Sequence, residues 1–307
     1  MIPPMQDLLE TLVAEARLLT PQGRVADYIP ALASADPLQA GIALVDGEGR
    51  LSSAGDAASL FSIQSVSKVI SLALVLETRG EEAVFSRVGR EPTGDPFNSI
   101  IRLETSRLGK PYNPLINAGA IVVSSLLPGR DSRERVEGLL AFMAGILGAK
   151  PGVDEAVFES ERTTGSRNRS IGWFLKHLGI LEGEVDEALD TYFRQCSIKV
   201  DARDLAVLGA VFAFDGLLPG GGRALSARTA RIVKSLMLTC GLYDGSGDFG
   251  VEAGLPAKSG VGGGIVASAK GRFGIGSFGP SLDEQGNSIA GVSMLTRLSS
   301  ELGLFSL

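Results

Sequence analysis

Phe61-Ser62-Ile63-Gln64-Ser65-Val66-Ser67-Lys68-Val69-Ile70 places a hydroxyl and an amine three residues apart where a helix is predicted to begin. Residues three apart on a helix share one face, so the Lys68 amine can reach back to the Ser65 hydroxyl. Such a pair can act as a nucleophile with its own general base. A Ser-x-x-Lys spacing also occurs by chance in many helices, so it needs support from elsewhere in the chain.

The histidine content leaves lysine or tyrosine as the base. His177 is the only histidine, and it lies in a stretch of helix-spaced apolar residues, where a single histidine is typical of a surface or packing position. A Ser-His-Asp or Cys-His arrangement needs an imidazole, and a histidine-based metal site usually needs more than one. We therefore predict neither a metal ion nor a cofactor.

Composition and charge indicate an ordinary globular chain that acts on a small molecule. The 307 residues are 44% hydrophobic with a net charge of −6, so no basic excess favours nucleic acid or an anionic membrane surface. The longest apolar stretch, 138–149, is shorter than the about 20 residues that span a bilayer, so we predict no membrane association. Acidic residues near the N-terminus argue against a signal peptide, which leads us to expect a cytoplasmic location with Cys196 and Cys240 reduced and buried.

The order of predicted elements indicates a mixed fold. Helix-spaced apolar residues predict helices over 8–19, 135–149, 170–181, 185–195, 201–214, 227–238 and 289–302. Short runs with strand character cover 41–45, 50–53, 265–269 and 273–278. Because the strands lie near both ends of the chain, we predict a sheet-containing lobe from about 1–70 and 243–307, with a helical lobe, about 71–242, inserted into it. This is an α/β fold, more specifically α+β, with the nucleophile in the cleft between the lobes.

A lysine base needs a lowered pKa. The ordinary lysine pKa is about 10.4, and a general base works best with a value of about 7 to 8. Burial, a second cation such as Lys258, or the positive end of the helix can supply that change.

A second motif supports the first. Lys258-Ser259-Gly260 is followed by Val261 and three more glycines ahead of a predicted strand, and backbone amides among glycines suit an oxyanion hole. A phosphate-binding Gly-x-x-x-x-Gly-Lys-Ser loop would need glycine where the chain has Glu252 and Ala257, so nucleotide binding is not predicted.

Together the two motifs resemble the paired signature of serine β-lactamases and penicillin-binding proteins. When the segments beyond these two motifs are included, the chain resembles, nearly end to end, a bacterial glutaminase of the serine-dependent, β-lactamase-like family. The segments that carry this resemblance, besides the two motifs, are Ala26-Asp27-Tyr28-Ile29-Pro30, Pro111-Tyr112-Asn113-Pro114-Leu115-Ile116-Asn117-Ala118-Gly119-Ala120, Ser160-Glu161-Arg162, Gly165-Ser166-Arg167-Asn168, Tyr192-Phe193-Arg194-Gln195-Cys196-Ser197-Ile198 and Gly241-Leu242-Tyr243-Asp244.

The resemblance implies hydrolysis of the side-chain amide of L-glutamine to L-glutamate and ammonia through a γ-glutamyl ester on Ser65. It makes Lys68 the activating base, Tyr243 the proton shuttle to the leaving ammonia, and the amides of Ser65 and Val261 the oxyanion hole. The implied substrate contacts are Tyr28, Gln64, Ser65, Asn117, Glu161, Asn168, Tyr192, Tyr243 and Val261, with Lys258, Ser259 and Gly260 in support. It also implies a homodimer or homotetramer.

The chemistry of free glutamine fits these residue types. Its α-ammonium, α-carboxylate and amide must all be desolvated in one small pocket, so each needs a polar partner. Glu161 suits the ammonium, while Asn117, Asn168 and the tyrosine hydroxyls can donate to the carboxylate.

Two alternatives stay open at this point. One is another serine hydrolase of the same fold, such as a β-lactamase, a DD-peptidase or an esterase. The other is a non-catalytic amino-acid sensor, which would be marked by loss of Ser65 or Lys68, and the chain has both.

Overall fold

The fold is built on an antiparallel sheet. The computed structural model describes residues 5–94 and 109–305. Within them, five strands pair in the order β2-β1-β7-β6-β5, and two short strands, β3 and β4, form a separate pair. The strands are β1 Gly41–Asp46, β2 Leu51–Gly55, β3 Phe61–Ser62, β4 Lys199–Val200, β5 Ala257–Ser259, β6 Gly264–Ala269 and β7 Phe273–Phe278. Since the strands near the two ends of the chain pair through β1 and β7, the predicted α+β architecture is confirmed.

The described residues also form eleven helices, some of which pack on the sheet and the others on one another. They are α1 Met5–Arg17, α2 Ser67–Phe85, α3 Asn117–Ser125, α4 Ser132–Leu147, α5 Glu155–Thr164, α6 Ser166–His177, α7 Val185–Cys196, α8 Ala202–Ala213, α9 Ala227–Cys240, α10 Ser246–Glu252 and α11 Ile289–Leu302. None of these helices is both long and apolar enough to cross a membrane.

Both faces of the sheet are buried, against different helices. Ile42 and Leu44 of β1 belong to a core shared with α1 and α11, whereas Ala43 and Val45 belong to a core that continues into the central helices. The alternation follows from the two-residue period of a strand, which sends successive side chains to opposite faces. Helix α8 packs on this second face against β1, β6 and β7. The second core therefore joins the sheet to the helices that carry much of the site.

Most of the predicted helices and strands occur within a few residues of their predicted ends, including the closing helix over 289–302. Three helices were missed, α3, α5 and α10. Every residue of α3 is buried, so its sequence has no polar face to show a helical period. Lys258 and Ser259 lie inside β5 rather than in a loop ahead of a strand.

The division into two lobes stays a prediction. The strands of the five-stranded sheet lie in 41–55 and 257–278, inside the predicted sheet-containing segments. Helix α8 lies in the predicted helical segment and packs on the sheet, so the two segments share one core.

Candidate active site

Ser65 lies in a single turn of 3₁₀ helix, Gln64–Val66, directly ahead of α2. The residue before it, Gln64, has φ +48°, a left-handed conformation that a non-glycine residue adopts at a cost of about 1–3 kcal/mol. Gln64 is buried, and its Nε2 donates to Ser62 Oγ at 3.3 Å. The strained residue turns the chain sharply between β3 and α2, and Ser65 lines a cavity at that turn.

Lys68, in the first turn of α2, is completely buried. Its Nζ donates to Asn117 Oδ1 at 2.7 Å and to the Leu115 carbonyl at 3.3 Å. Burial lowers the pKa of Lys68 to about 8, although the carboxylate of Glu161 acts in the opposite direction. A neutral amine that donates two hydrogens to these acceptors keeps its lone pair for a third partner.

Asn113 explains why Asn117 reaches this amine. Its Oδ1 accepts from the backbone N–H of Leu115 at 3.0 Å and of Ile116 at 3.2 Å, which closes a turn directly before α3. Asn117 is the first residue of α3, and its Nδ2 donates to Asn168 Oδ1 at 3.0 Å. The side-chain amide of Asn117 therefore orients both the Lys68 amine and the Asn168 side chain, which lines the cavity.

The turn between β5 and β6 brings a second backbone amide close to Ser65. A Cβ atom added at Gly260 would lie 2.7 Å from the Ile63 carbonyl oxygen and 3.2 Å from the Ser65 nitrogen, so only glycine allows this approach. Among the described residues, no acceptor contacts the backbone N–H of Ser65 or of Val261. Both residues line the cavity, and two unpaired N–H groups there suit an oxyanion.

Tyr243 lies beside Ser65. It is hydrogen-bonded to the Ser65 side chain, and burial raises the pKa of its phenol to about 12 despite this bond. Its own φ is +56°, the second left-handed non-glycine residue at the site. Lys258 is fully buried, with Nζ 4.3 Å from the centroid of the Tyr243 ring and 2.9 Å from the Gly241 carbonyl. The pKa of Lys258 is well below its usual value, mainly through burial and also through the charge of Lys68.

The cavity has a volume of about 330 Å³, the size of a small-molecule site. Eight of the nine predicted substrate contacts line it: Tyr28, Gln64, Ser65, Asn117, Glu161, Asn168, Tyr192 and Val261. The ninth, Tyr243, is placed at the site by its hydrogen bond to Ser65. Tyr28 is 57% exposed, while Tyr192 is buried, so the two rings belong to the open and the closed side of the cavity.

Glu161 supplies a buried carboxyl group on α5. Burial raises its pKa to about 7, and a hydrogen bond from Gln64 and the charge of Lys68 act against that rise. An ammonium group bound next to it would favour its charged form.

The cavity is also lined by four residues that were not predicted from the sequence: Ile29, Thr164, Gly165 and Arg167. Arg167 belongs to the segment 165–168, which carries the family resemblance, but no function was predicted for its side chain. A guanidinium in a site meant for an α-carboxylate was the signal that could have identified it.

The remaining reactive side chains lie elsewhere or are inert. His177 is exposed at the end of α6 against the Phe174 ring, as predicted. Cys196 and Cys240 are buried and form no disulfide, as predicted, and burial raises the pKa of the Cys196 thiol to about 12. Within 5–94 and 109–305, no three His, Cys, Asp or Glu side chains come together as metal ligands would.

Comparison with known proteins shows the family of this chain. The family model described as Glutaminase matches residues 23–306. A glutaminase of Fusobacterium nucleatum is 51% identical over 302 residues, which cover 98% of this chain and 99% of that protein. The crystal structure of a probable glutaminase of Bacillus subtilis has a TM-score of 0.92 at 39% identity, covering 97% of this chain and 96% of that one.

A second Bacillus subtilis structure adds a chemical observation. It is the covalent complex of a glutaminase with 5-oxo-L-norleucine, formed by reaction of that protein with 6-diazo-5-oxo-L-norleucine. It has a TM-score of 0.92 at 36% identity and covers 99% of this chain and 100% of that one.

Proposed function

This chain belongs to the glutaminase family and is a glutaminase, and we propose that it hydrolyses the side-chain amide of L-glutamine through a γ-glutamyl ester on Ser65. One arrangement carries the proposal: Ser65 lines the cavity one helical turn ahead of the buried Lys68 amine, and, among the described residues, no acceptor contacts its own backbone N–H or that of Val261, which lines the same cavity. The covalent complex of the Bacillus subtilis relative supports it, because that adduct has a carbonyl on C5, where L-glutamine has its amide carbonyl.

The proposed reaction begins with proton transfer from Ser65 Oγ to the neutral Lys68 amine while Oγ bonds to the amide carbon. The N–H groups of Ser65 and Val261 stabilise the negative charge that develops on the carbonyl oxygen. Tyr243, which contacts Ser65, passes a proton to the amide nitrogen and regains one from the protonated Lys68 amine, so that the C–N bond breaks, ammonia leaves and Lys68 is neutral again. Water then attacks the ester carbon while the neutral Lys68 amine accepts its proton, the C–O bond to Ser65 breaks, and Lys68 returns the proton to Oγ.

The proposed substrate contacts follow from charge. Glu161 pairs with the α-ammonium, and Asn117 and Asn168 donate to the α-carboxylate together with the tyrosine hydroxyls. The test of substrate choice is a coupled glutamate assay with L-glutamine beside ammonia release from L-asparagine. A homodimer or homotetramer and a cytoplasmic location stay predictions, the first by family resemblance alone.

The pH dependence of kcat tests the base. Since Lys68 has a pKa of about 8 and accepts a proton only when neutral, kcat should rise with pH through that value and level off above it. The measurement is kcat for L-glutamine from about pH 6 to 10 at saturating substrate. A kcat that falls as the pH rises through this interval would contradict a lysine base.

Glu161→Gln tests the ammonium contact. The variant keeps the shape of the side chain and removes its charge, so KM for L-glutamine should rise about 30- to 100-fold while kcat changes less. N-acetyl-L-glutamine, which has no ammonium, is the matched control substrate. An equal loss of kcat/KM on both substrates would remove the assignment.

A further inference from the structure

Asn287 connects the two segments that hold Lys258 and Tyr243. It is buried, 2% exposed, in the loop directly before α11. Its Oδ1 accepts from the Ser259 hydroxyl at 2.6 Å, and its Nδ2 donates to the Leu242 carbonyl at 3.3 Å. One planar amide thus links strand β5 to the residue that precedes Tyr243.

The turn around Tyr243 needs such a support. Tyr243 has φ +56°, a conformation that a bulky residue keeps only where its surroundings enforce it. Ser246 Oγ accepts from the Leu242 N–H at 2.9 Å and donates to the Tyr243 carbonyl at 2.7 Å. The Leu242 carbonyl accepts from the Gly245 N–H at 3.0 Å and from Asn287 Nδ2 at 3.3 Å. Asn287 thus adds a side-chain link between this turn and β5 to the direct bonds from the Ser259 N–H to the Gly241 carbonyl and from the Tyr243 hydroxyl to the Ser259 carbonyl.

The loop of Asn287 also packs on the site. Its backbone N–H donates to Asp283 Oδ1 at 2.8 Å, which closes the turn 283–287. Gly286 in that turn has φ +94°, and a Cβ atom there would lie 3.5 Å from Val261 Cγ1 and 3.7 Å from Tyr243 Cε2. The turn is therefore in reach of both the phenol and the residue whose amide faces the cavity.

We propose that Asn287 is a positioning residue that holds the Tyr243 hydroxyl against Ser65. The proposal rests on the proposed function, because it assumes that Tyr243 transfers a proton during the reaction. Asn287 is not among the described residues that line the cavity, so it acts through Tyr243 rather than on the substrate.

Asn287→Ala should lower kcat for L-glutamine about 100-fold, the effect of a misplacement of a reacting group by about 1 Å, with KM nearly unchanged. Ser288→Ala is the matched control. Ser288 is the next residue, fully buried, and its Oγ caps α11 by accepting from Gly291 N at 3.0 Å, with no bond to the Tyr243 turn. Thermal unfolding measures the loss of stability in both variants, and we expect kcat to fall only in Asn287→Ala.

Asn287→Asp gives a second, smaller change in case the alanine variant does not fold. It keeps the shape and the acceptor for Ser259, and as a carboxylate it cannot donate to the Leu242 carbonyl. We expect kcat to fall with KM retained here as well. If Ser288→Ala lowers kcat as much as either Asn287 variant, Asn287 has only a structural role and the proposal is wrong.

A double-mutant cycle with Tyr243→Phe separates this proposal from the proposed function. If Asn287 acts through the phenol, Asn287→Ala should cost little further kcat once the hydroxyl is gone. Additive losses overturn the role of Asn287 alone. A Tyr243→Phe variant with unchanged kcat overturns the proton transfer by Tyr243, and with it this inference.

Discussion

Ser65→Ala is expected to lower kcat for L-glutamine by about 10⁵-fold or more, the loss seen when a serine nucleophile is removed. The variant has no atom that can bond to the amide carbon, while the backbone amides and the binding contacts stay in place. The side chain is small and lines the cavity, and the Tyr243 hydroxyl that bonds to it also donates to the Ser259 carbonyl at 3.4 Å, so the loss should disturb the fold little. Ammonia release and glutamate formation measure the effect, and a thermal unfolding curve checks the fold.

Ser67→Ala is the matched control for this prediction. Ser67 lies two positions after Ser65 and is buried, and its Oγ donates to the Gln64 carbonyl at 2.7 Å without lining the cavity. It should keep most of the activity. Intact mass after treatment with 6-diazo-5-oxo-L-norleucine should show one adduct on the unmodified chain and on Ser67→Ala, and none on Ser65→Ala. An adduct that persists on Ser65→Ala would show a different nucleophile.

Lys68→Met is expected to lower kcat by about 10³- to 10⁴-fold, because methionine has a similar length and cannot accept the Ser65 proton. Lys68→Arg tests whether the amine serves as a base or only as a charge. Arginine keeps a positive charge and stays protonated at any pH used, so a base role predicts a similar loss in both variants. The measurement is kcat for L-glutamine across the pH range in which the unmodified enzyme is active.

The stability of the Lys68 variants must be measured together with their activity. Without the amine, Asn117 Oδ1 and the Leu115 carbonyl lose their donor in a buried place, which costs about 1–3 kcal/mol for each unsatisfied group. A lower melting temperature is therefore expected in Lys68→Met. If Lys68→Arg is nearly as active as the unmodified enzyme, Lys68 contributes charge and some other group removes the proton.

The proposed catalytic pair, Ser65 and Lys68, could be selected from the chain alone, since a spacing of three residues at a helix start is a local property. The helix that carries Asn117 could not, because its residues are buried on all sides and show no period. Arg167 also escaped selection, as its place on the cavity depends on the packing of α6 against other helices.

Sequence by itself determined the family, the order of most elements and the choice of Ser65 and Lys68 as the proposed reacting groups, because hydrophobic period, turn residues and motif spacing are properties of residues close together in the chain. Tertiary structure alone decided the protonation of Lys68 and the placement of the groups around Ser65. Lys68 has a pKa of about 8 because residues distant in the chain bury it. Likewise, Tyr243 faces Ser65 because Asn287 and Ser246 support a strained turn, and Gly260 brings the Val261 amide near through contacts between segments almost 200 residues apart.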